Sequence, residues 1–338
     1  MSLPTTEKQK RVIALGFFDG VHRGHGALLR TVSNIAKKMG VTAAVFTFDR
    51  HPSTVITGQS VPMISSVDDR IWLMRRYYGI DEVIVAPFEA MQKMDWQDYI
   101  RKYLAQELGA VHVVAGHDFH FGYMGKGNPE RLKAVCEELG IGCDIIGKVE
   151  QDGITISSTY IRNLLAQGEM DRAVEFLGHP HVLTDRVSHG RRIGSSTLGF
   201  PTVNLHIHPP VIVPAHGVYA TRVWFDGQYH QAVTNIGVRP TVHDSDGKVT
   251  VEGFILDFDG DLYGKELRME FFHRLRGEER FPSMQALADE IRRNADQTRD
   301  YFASLKTPDP TFPNLSGKDG PGWTKNTPKT ITHISISI

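Results

Sequence analysis

Cysteine is nearly absent. The chain has 338 residues and two cysteines, Cys136 and Cys143. That is too few for a disulfide framework, and their spacing fits no zinc site. A disulfide-stapled secreted scaffold is excluded, and a reducing cytoplasm is the expected location. Long hydrophobic runs are missing too: no window approaches the ~20 consecutive apolar residues of a membrane span. The first ten residues are mostly polar and lack the apolar core of a secretory signal. Neither sign of charge dominates: 38 Lys and Arg oppose 39 Asp and Glu, a formal net charge of −1. No nucleic-acid or membrane partner is therefore expected. What remains is a globular composition, 41% hydrophobic and 23% charged, with length enough for two domains.

The first half alternates. Strand-like runs at 12–18, 41–48, 82–88, 111–116 and 143–149 are separated by helical patterns near 25–39, 68–78, 96–108 and 129–139. This predicts a Rossmann-like α/β domain with a parallel sheet and helices on both faces. Ligands bind such sheets at the carboxyl ends of the strands. A short helical link at 169–177 ends in Gly178-His179-Pro180. Beyond it come short β-runs broken by Gly, Pro and Asp, at 182–187, 202–207, 217–225, 229–236, 250–258 and 267–276. One amphipathic helix follows, with Met284, Leu287, Ile291 and Ala295 on its apolar face. The expectation is an antiparallel β-barrel closed by a helix. The boundaries expected are 1–178 and 179–306, with 307–338 a disordered tail rich in Pro, Gly, Thr and Lys. The final Ile-Ser alternation reads like a strand without an evident partner.

The most informative stretch follows the first strand: Gly16-Phe17-Phe18-Asp19-Gly20-Val21-His22-Arg23-Gly24-His25. A helical pattern begins at once, so these residues lie on a strand-to-helix turn. Free N–H groups and the helix dipole make such a turn an anion site. Gly16, Gly20 and Gly24 let the backbone turn sharply and approach a ligand. His22 and His25 share a face of the first helical turn, placed to stabilise charge on a polyphosphate. The competing reading is a tight turn with two surface histidines.

Other strand ends carry Thr47-Phe48-Asp49-Arg50-His51-Pro52 and Gly116-His117-Asp118-Phe119-His120-Phe121-Gly122. Each also reads as an aromatic loop packed on the sheet edge. Ser157-Ser158-Thr159-Tyr160-Ile161-Arg162 opens a helix, with Arg162 one turn beyond Ser158 and Thr159. Hydroxyls, N–H groups and a guanidinium converge there on a phosphate-sized spot, or the segment is simply a capped helix. In the second half Thr202 and Asn204 share one strand face. They offer the oxygen ligands that Mg²⁺ prefers, or form a polar outer face. Glycines between 190 and 199 can lay N–H groups over ATP phosphates. Glu252 is the carboxylate to take a proton from an attacking hydroxyl. Two other patterns fail. Asp257, Asp259 and Asp261 mimic an EF-hand, but Leu262 replaces its glycine and Arg268 its terminal Glu. His206 and His208 share a face without a third metal ligand.

The HxGH turn resembles the nucleotidylyltransferase superfamily. Its longer string F-D-G-V-H-R-G-H is similar to the FMN adenylyltransferase half of prokaryotic bifunctional riboflavin kinase/FAD synthetases. The barrel strings G-x-x-x-G, G-F-P-T-x-N, G-V-Y, N-I-G-x-R-P-T, V-E and D-L-Y-G, in that order, resemble flavokinase. The resemblance implies that the second domain phosphorylates riboflavin to FMN and the first adenylylates FMN to FAD, releasing pyrophosphate. It further implies His22, His25, Arg162 and Glu252 as catalytic residues. Nucleotide contacts would come from Gly16, Phe18, Asp19, Gly20, Gly24, Ser158, Thr159, Gly194, Gly199 and Pro201. Asp118, Phe119 and Phe121 would bind flavin, and Thr202 and Asn204 would hold Mg²⁺ with ATP. Three positions depart from the pattern: Arg50, His120, and the extra residue in Ser195-Ser196-Thr197. Two rival readings stand beside this one: a nucleotidylyltransferase of another substrate class with a noncatalytic barrel, and a flavin-binding regulator.

Overall fold

The structure, a computed structural model, describes residues 9–188, 202–238, 249–305 and 331–333. The chain forms two compact units, 1–61 with 70–156 and 325–338, and 62–69 with 157–324.

The first unit is built on parallel strands. In chain order come β1 (Arg11–Leu15), α1 (Arg23–Met39), β2 (Thr42–Phe48), α2 (Pro52–Thr57), α3 (Val67–Tyr78), β3 (Glu82–Ala86) and α4 (Phe88–Met91). There follow α5 (Trp96–Asp98), β4 (Ala110–Gly116), α6 (Pro129–Glu138), β5 (Gly142–Ile146), and the small hairpin β6 (Glu150–Gln151) and β7 (Ile154–Thr155). Parallel pairing gives the order β3-β2-β1-β4-β5. β1 is central and its apolar run is buried on both faces, as a helix-covered parallel sheet requires. It stops at Leu15 rather than running to residue 18, because the backbone turns into a left-handed conformation at Phe18. The helix expected over 96–108 takes two forms: α5 widens into a π-type helix over Tyr99–Glu107. The wider turn keeps Tyr99, Ile100, Tyr103 and Leu104 all within the core.

The outermost strand of this sheet was not expected. β14 (Ile331–His333) pairs in parallel with residues 83–85 of β3. The tail therefore contributes one ordered edge segment. A sheet edge offers unpaired N–H and C=O groups to any segment of matching pattern, whatever its distance in sequence.

The second unit contains α7 (Ser158–Gln167) and α8 (Met170–Leu177) and six antiparallel strands. These are β8 (His181–Arg186), β9 (Thr202–Leu205), β10 (Gly217–Phe225), β11 (Gln228–Val238), β12 (Val249–Ile255) and β13 (Glu266–Arg276). Their order is β8-β13-β10-β11-β12-β9, a curled antiparallel sheet. The closing helix α9 (Met284–Ser304) covers it, with Ala295 packed among Val218, Val233 and Leu256.

β8 carries an imidazole that costs the fold stability in acid. His181 is buried, and both its ring nitrogens lack a hydrogen-bond partner. Burial, and secondarily His179, push it down to about 3. An unfolded imidazole titrates near ~6.5, so a proton is taken up on unfolding at lower pH, and the stability present above ~6.5 is lost as pH falls. Between pH 7 and pH 5 this group alone is expected to remove up to about 2 kcal/mol. His181→Leu should remove that portion of the acid slope, read as denaturant midpoints of variant and parent at both pH values. Parallel losses would show that His181 finds a partner in solution.

Candidate functional site

The loop between β1 and α1 is held in a conformation its residues do not favour. Phe18 has φ 60° and ψ 33°, and Val21 has φ 43°. A bulky and a β-branched residue at positive φ are uncommon and cost of order 1–3 kcal/mol each. Gly20, at φ 75°, takes the third such position without that cost. Phe18, Asp19, Gly20 and Val21 are all buried, so packing maintains the shape.

The turn delivers two imidazoles. His22 is the N-cap of α1, and its Nδ1 accepts a hydrogen bond from the His25 backbone N–H at 3.3 Å. The His22 and His25 rings stack at 3.6 Å, 12° from parallel, and Phe18 meets His25 edge-on at 5.2 Å. Gly24 sits close to the first imidazole: a Cβ there would lie 3.1 Å from the His22 ring, which would have to give by a few tenths of an ångström. The His25 Nδ1 is buried without a hydrogen-bond partner. Desolvation, then His22, then Arg70 hold His25 well below the ordinary imidazole range. It is neutral at pH 7.

Two residues beneath this turn had no role assigned from the sequence: Thr47, which opens the string at the end of the second strand, and Arg70. Thr47 on β2 is buried, and its hydroxyl donates to the Phe17 carbonyl at 2.9 Å. Arg70 on α3 is 1% exposed. Its Nη1 donates to the Phe17 carbonyl at 2.5 Å and to Thr47 Oγ1 at 3.1 Å, and its Nη2 to the Phe48 carbonyl at 3.0 Å. Burial pulls Arg70 down to about 10 while Asp19 and Asp49 act in the opposite sense, so it stays charged at pH 7. The only sequence signal was position: Arg70 falls on the same helical stripe as the buried Leu73 and Met74.

The other expected residues are placed as follows. His51 caps α2, accepting from Ser53 N–H at 3.1 Å, and meets the Phe17 ring edge-on at 4.9 Å. Arg50 is exposed and pairs with Glu89. After β4, Asp118 and His120 are exposed and Phe119 is partly buried. Phe121 belongs to the core, tilted on Tyr99 and stacked on Phe119. Ser157 caps α7 by accepting from Tyr160 N–H, and Ser158, Thr159 and Arg162 lie on that helix, in the second unit.

In the second unit antiparallel pairing brings three polar residues together. Asn204 on β9 stands directly opposite Glu252 on β12. The Thr202 hydroxyl donates to Glu252 Oε1 at 2.9 Å. Hydroxyl, amide and carboxylate oxygens thus share one face across two strands. This hard-oxygen donor set fits Mg²⁺. Behind them, a Cβ at Gly253 would come within 2.8 Å of the Met269 methyl, so that side chain would have to shift. Gly194, Gly199, Pro201 and the segment Ser195-Ser196-Thr197 lie outside the described residues.

Known proteins share both halves of this chain. A family model described as FAD synthetase matches residues 5–160, and one described as riboflavin kinase matches residues 177–302. A bifunctional riboflavin kinase/FMN adenylyltransferase of Bacillus subtilis is 34% identical over 306 residues, covering 89% of this chain and 95% of that one. Its counterpart in Pseudomonas fluorescens is 37% identical over 291 residues, covering 84% and 90%. A solved structure described as a macrolide-efflux protein from Streptococcus pneumoniae superposes with a TM-score of 0.74 at 29% identity, covering 88% and 95%. Among the described residues no helix is long and apolar enough to cross a membrane.

The stacked imidazoles make a forecast independent of substrate. In a histidine-labelled sample, the His25 ring carbon shift should stay at its neutral value from pH 8 down past the ordinary midpoint of ~6.5. His22→Gln, which removes one like charge, should move the His25 midpoint upward. A normal His25 titration in the parent protein would show that the imidazole is solvated.

Proposed function

Because the chain belongs to the family of bifunctional riboflavin kinase/FMN adenylyltransferases, we infer that it makes FMN and then FAD from riboflavin and ATP. It is a transferase with two chemistries, and its substrates are small molecules. The observation that carries the kinase half is the Thr202-Glu252 hydrogen bond beside Asn204. Glu252 is proposed as the base that takes the proton from the riboflavin 5′-hydroxyl as it attacks the γ-phosphorus of ATP. Thr202 and Asn204 would hold Mg²⁺, which when bound offsets charge on the ATP phosphates. Thr202 also orients the Glu252 carboxylate.

For the second reaction we propose the turn at residues 16–25. FMN already carries an ionised phosphate at pH 7, so its attack on the α-phosphorus of ATP needs no strong base. The turn supplies charge stabilisation instead. A polyphosphate arriving at the α1 N-terminus would oppose the repulsion from His22 and Arg70, which adds to desolvation in keeping His25 neutral, and so favour its protonation. Arg162, Ser158 and Thr159 are proposed as phosphate ligands, and Asp118 and Phe119 as flavin contacts, on their chemistry and the family's motifs. Phe121 would act from the core, by supporting Phe119. The nucleotide role of Gly194, Gly199 and Pro201 stays with the motif. We place the boundary between the two activities near residue 178. Two free thiols suit a reducing cytoplasm.

Mixing the protein with riboflavin, ATP and Mg²⁺ tests the whole reading: FAD is expected, with FMN accumulating first. FMN alone would leave only the kinase, and tight flavin binding without product would favour a regulator. Two variants separate the sites. His25→Ala should reduce FAD formation from FMN by about 10²–10³ and leave riboflavin phosphorylation intact. Glu252→Gln should do the reverse, lowering phosphorylation by about 10²–10⁴ while FMN supplied directly is still adenylylated. Near-parental turnover in folded Glu252→Gln would remove that residue from the mechanism.

A further inference from the structure

Arg70 has no part in the reading above, yet its hydrogen bonds converge on the edge of the adenylyl-transfer turn. One guanidinium reaches the carbonyls of Phe17 and Phe48 and the hydroxyl of Thr47. Phe17 follows β1 and Phe48 ends β2, so a single rigid plane clamps two neighbouring strand ends. The same group lies 4.4 Å from the centre of the Phe17 ring, and that ring meets His51. Its charge is felt at His25. A buried charge is a poor way to gain stability, because an apolar side chain of like volume is often neutral or better. A planar fork with five donors is, however, the best group to fix several acceptors in one geometry.

We propose that Arg70 is a positioning residue for adenylyl transfer. It bridges the ends of β1 and β2, and so fixes the strained turn that presents His22 and His25. At 1% exposure it acts through these groups rather than on substrate. Its charge sets a second property. The ionisable groups around His25 are His22 from the first turn of α1 and Arg70 from α3, with Asp19 and Asp49 beside Arg70. Arg70 therefore helps to keep His25 neutral until an anion arrives. This inference rests on the adenylyltransferase reading of the turn.

The test uses the full chain with Arg70→Gln and Arg70→Lys. Both activities, thermal unfolding and the His25 titration are measured on the same preparations. Arg70→Gln should lower the adenylylation kcat by about 10²-fold, the cost of a reacting group displaced by about 1 Å. The KM values for FMN and ATP should change far less, and riboflavin phosphorylation should be unaltered. His25 should titrate at higher pH in this variant. Arg70→Lys keeps the charge but cannot span three acceptors, so His25 should titrate as in the parent while kcat remains at least about tenfold down. Parental adenylylation in folded Arg70→Gln overturns the proposal. So does a matched fall of both activities with loss of stability, which would mark a purely structural residue. Should the glutamine variant not fold, parental adenylylation by Arg70→Lys overturns it. A parent protein that forms no FAD would overturn the adenylyltransferase reading and this inference together. A parent that forms FAD, with variants that do so equally well, overturns this inference alone.

Discussion

The first site depends on a turn that its own residues resist. Phe18 and Val21 sit at positive φ, a conformation that persists only where surroundings over-determine it. Three constraints do so. Packing buries the turn from Phe18 to Val21. The capping bond from His25 N–H to His22 ties the turn to the first residues of α1. The Arg70 and Thr47 hydrogen bonds hold the Phe17 carbonyl from below. Strain at this point sets the direction in which α1 leaves the sheet, and with it where the helix N-terminus and both imidazoles face.

The second site depends on register instead. Residues 202, 204 and 252 are distant in sequence, and only the antiparallel pairing of β9 with β12 brings their oxygens to one face. A slip of one residue would turn Glu252 to the other side of the sheet. Rigid strands suit a group that must receive a proton along a fixed line.

How much of this was legible in the sequence follows from the range of each interaction. The strand-turn-helix at 16–25 is local, so its glycines and histidines could be read directly, and the alternating pattern gave the parallel sheet. The barrel strands were legible as short apolar runs, with ends displaced by only a few residues. Arg70 was hidden, because a charged residue on a helix reads as solvent-facing unless its carbonyl partners are known. Those partners, Phe17 and Phe48, lie on other elements. Phe121 read either as a flavin contact or as part of an aromatic loop packed on the sheet edge, and its ring lies in the core. Alternation cannot tell these apart in a loop, where no periodicity fixes direction. The β14 pairing was not legible either: Ile331–His333 precedes the Ile-Ser run, which lies outside the described residues, and nothing local named β3 as a partner.

The difference between the two sites follows from the nucleophiles. A hydroxyl must lose its proton during attack, which calls for a carboxylate, the role proposed for Glu252, whose carboxylate accepts from Thr202. A phosphate monoester is already anionic at pH 7. A nearby carboxylate would repel it, whereas a helix N-terminus and imidazoles that can accept a proton attract it. The acidic residues near the first turn fit this demand. Asp19 is buried, and Asp19 and Asp49 both act on Arg70, a compensating charge. Arg70 thus has two effects that only a buried cation can combine. It offsets negative charge under a site that must receive polyanions, and it clamps the backbone on which that site is built. Behind burial and His22, it also contributes to the depressed basicity of His25. On the proposed reading, the same buried charge bears on both the geometry of the turn and the charge that a phosphate would meet there.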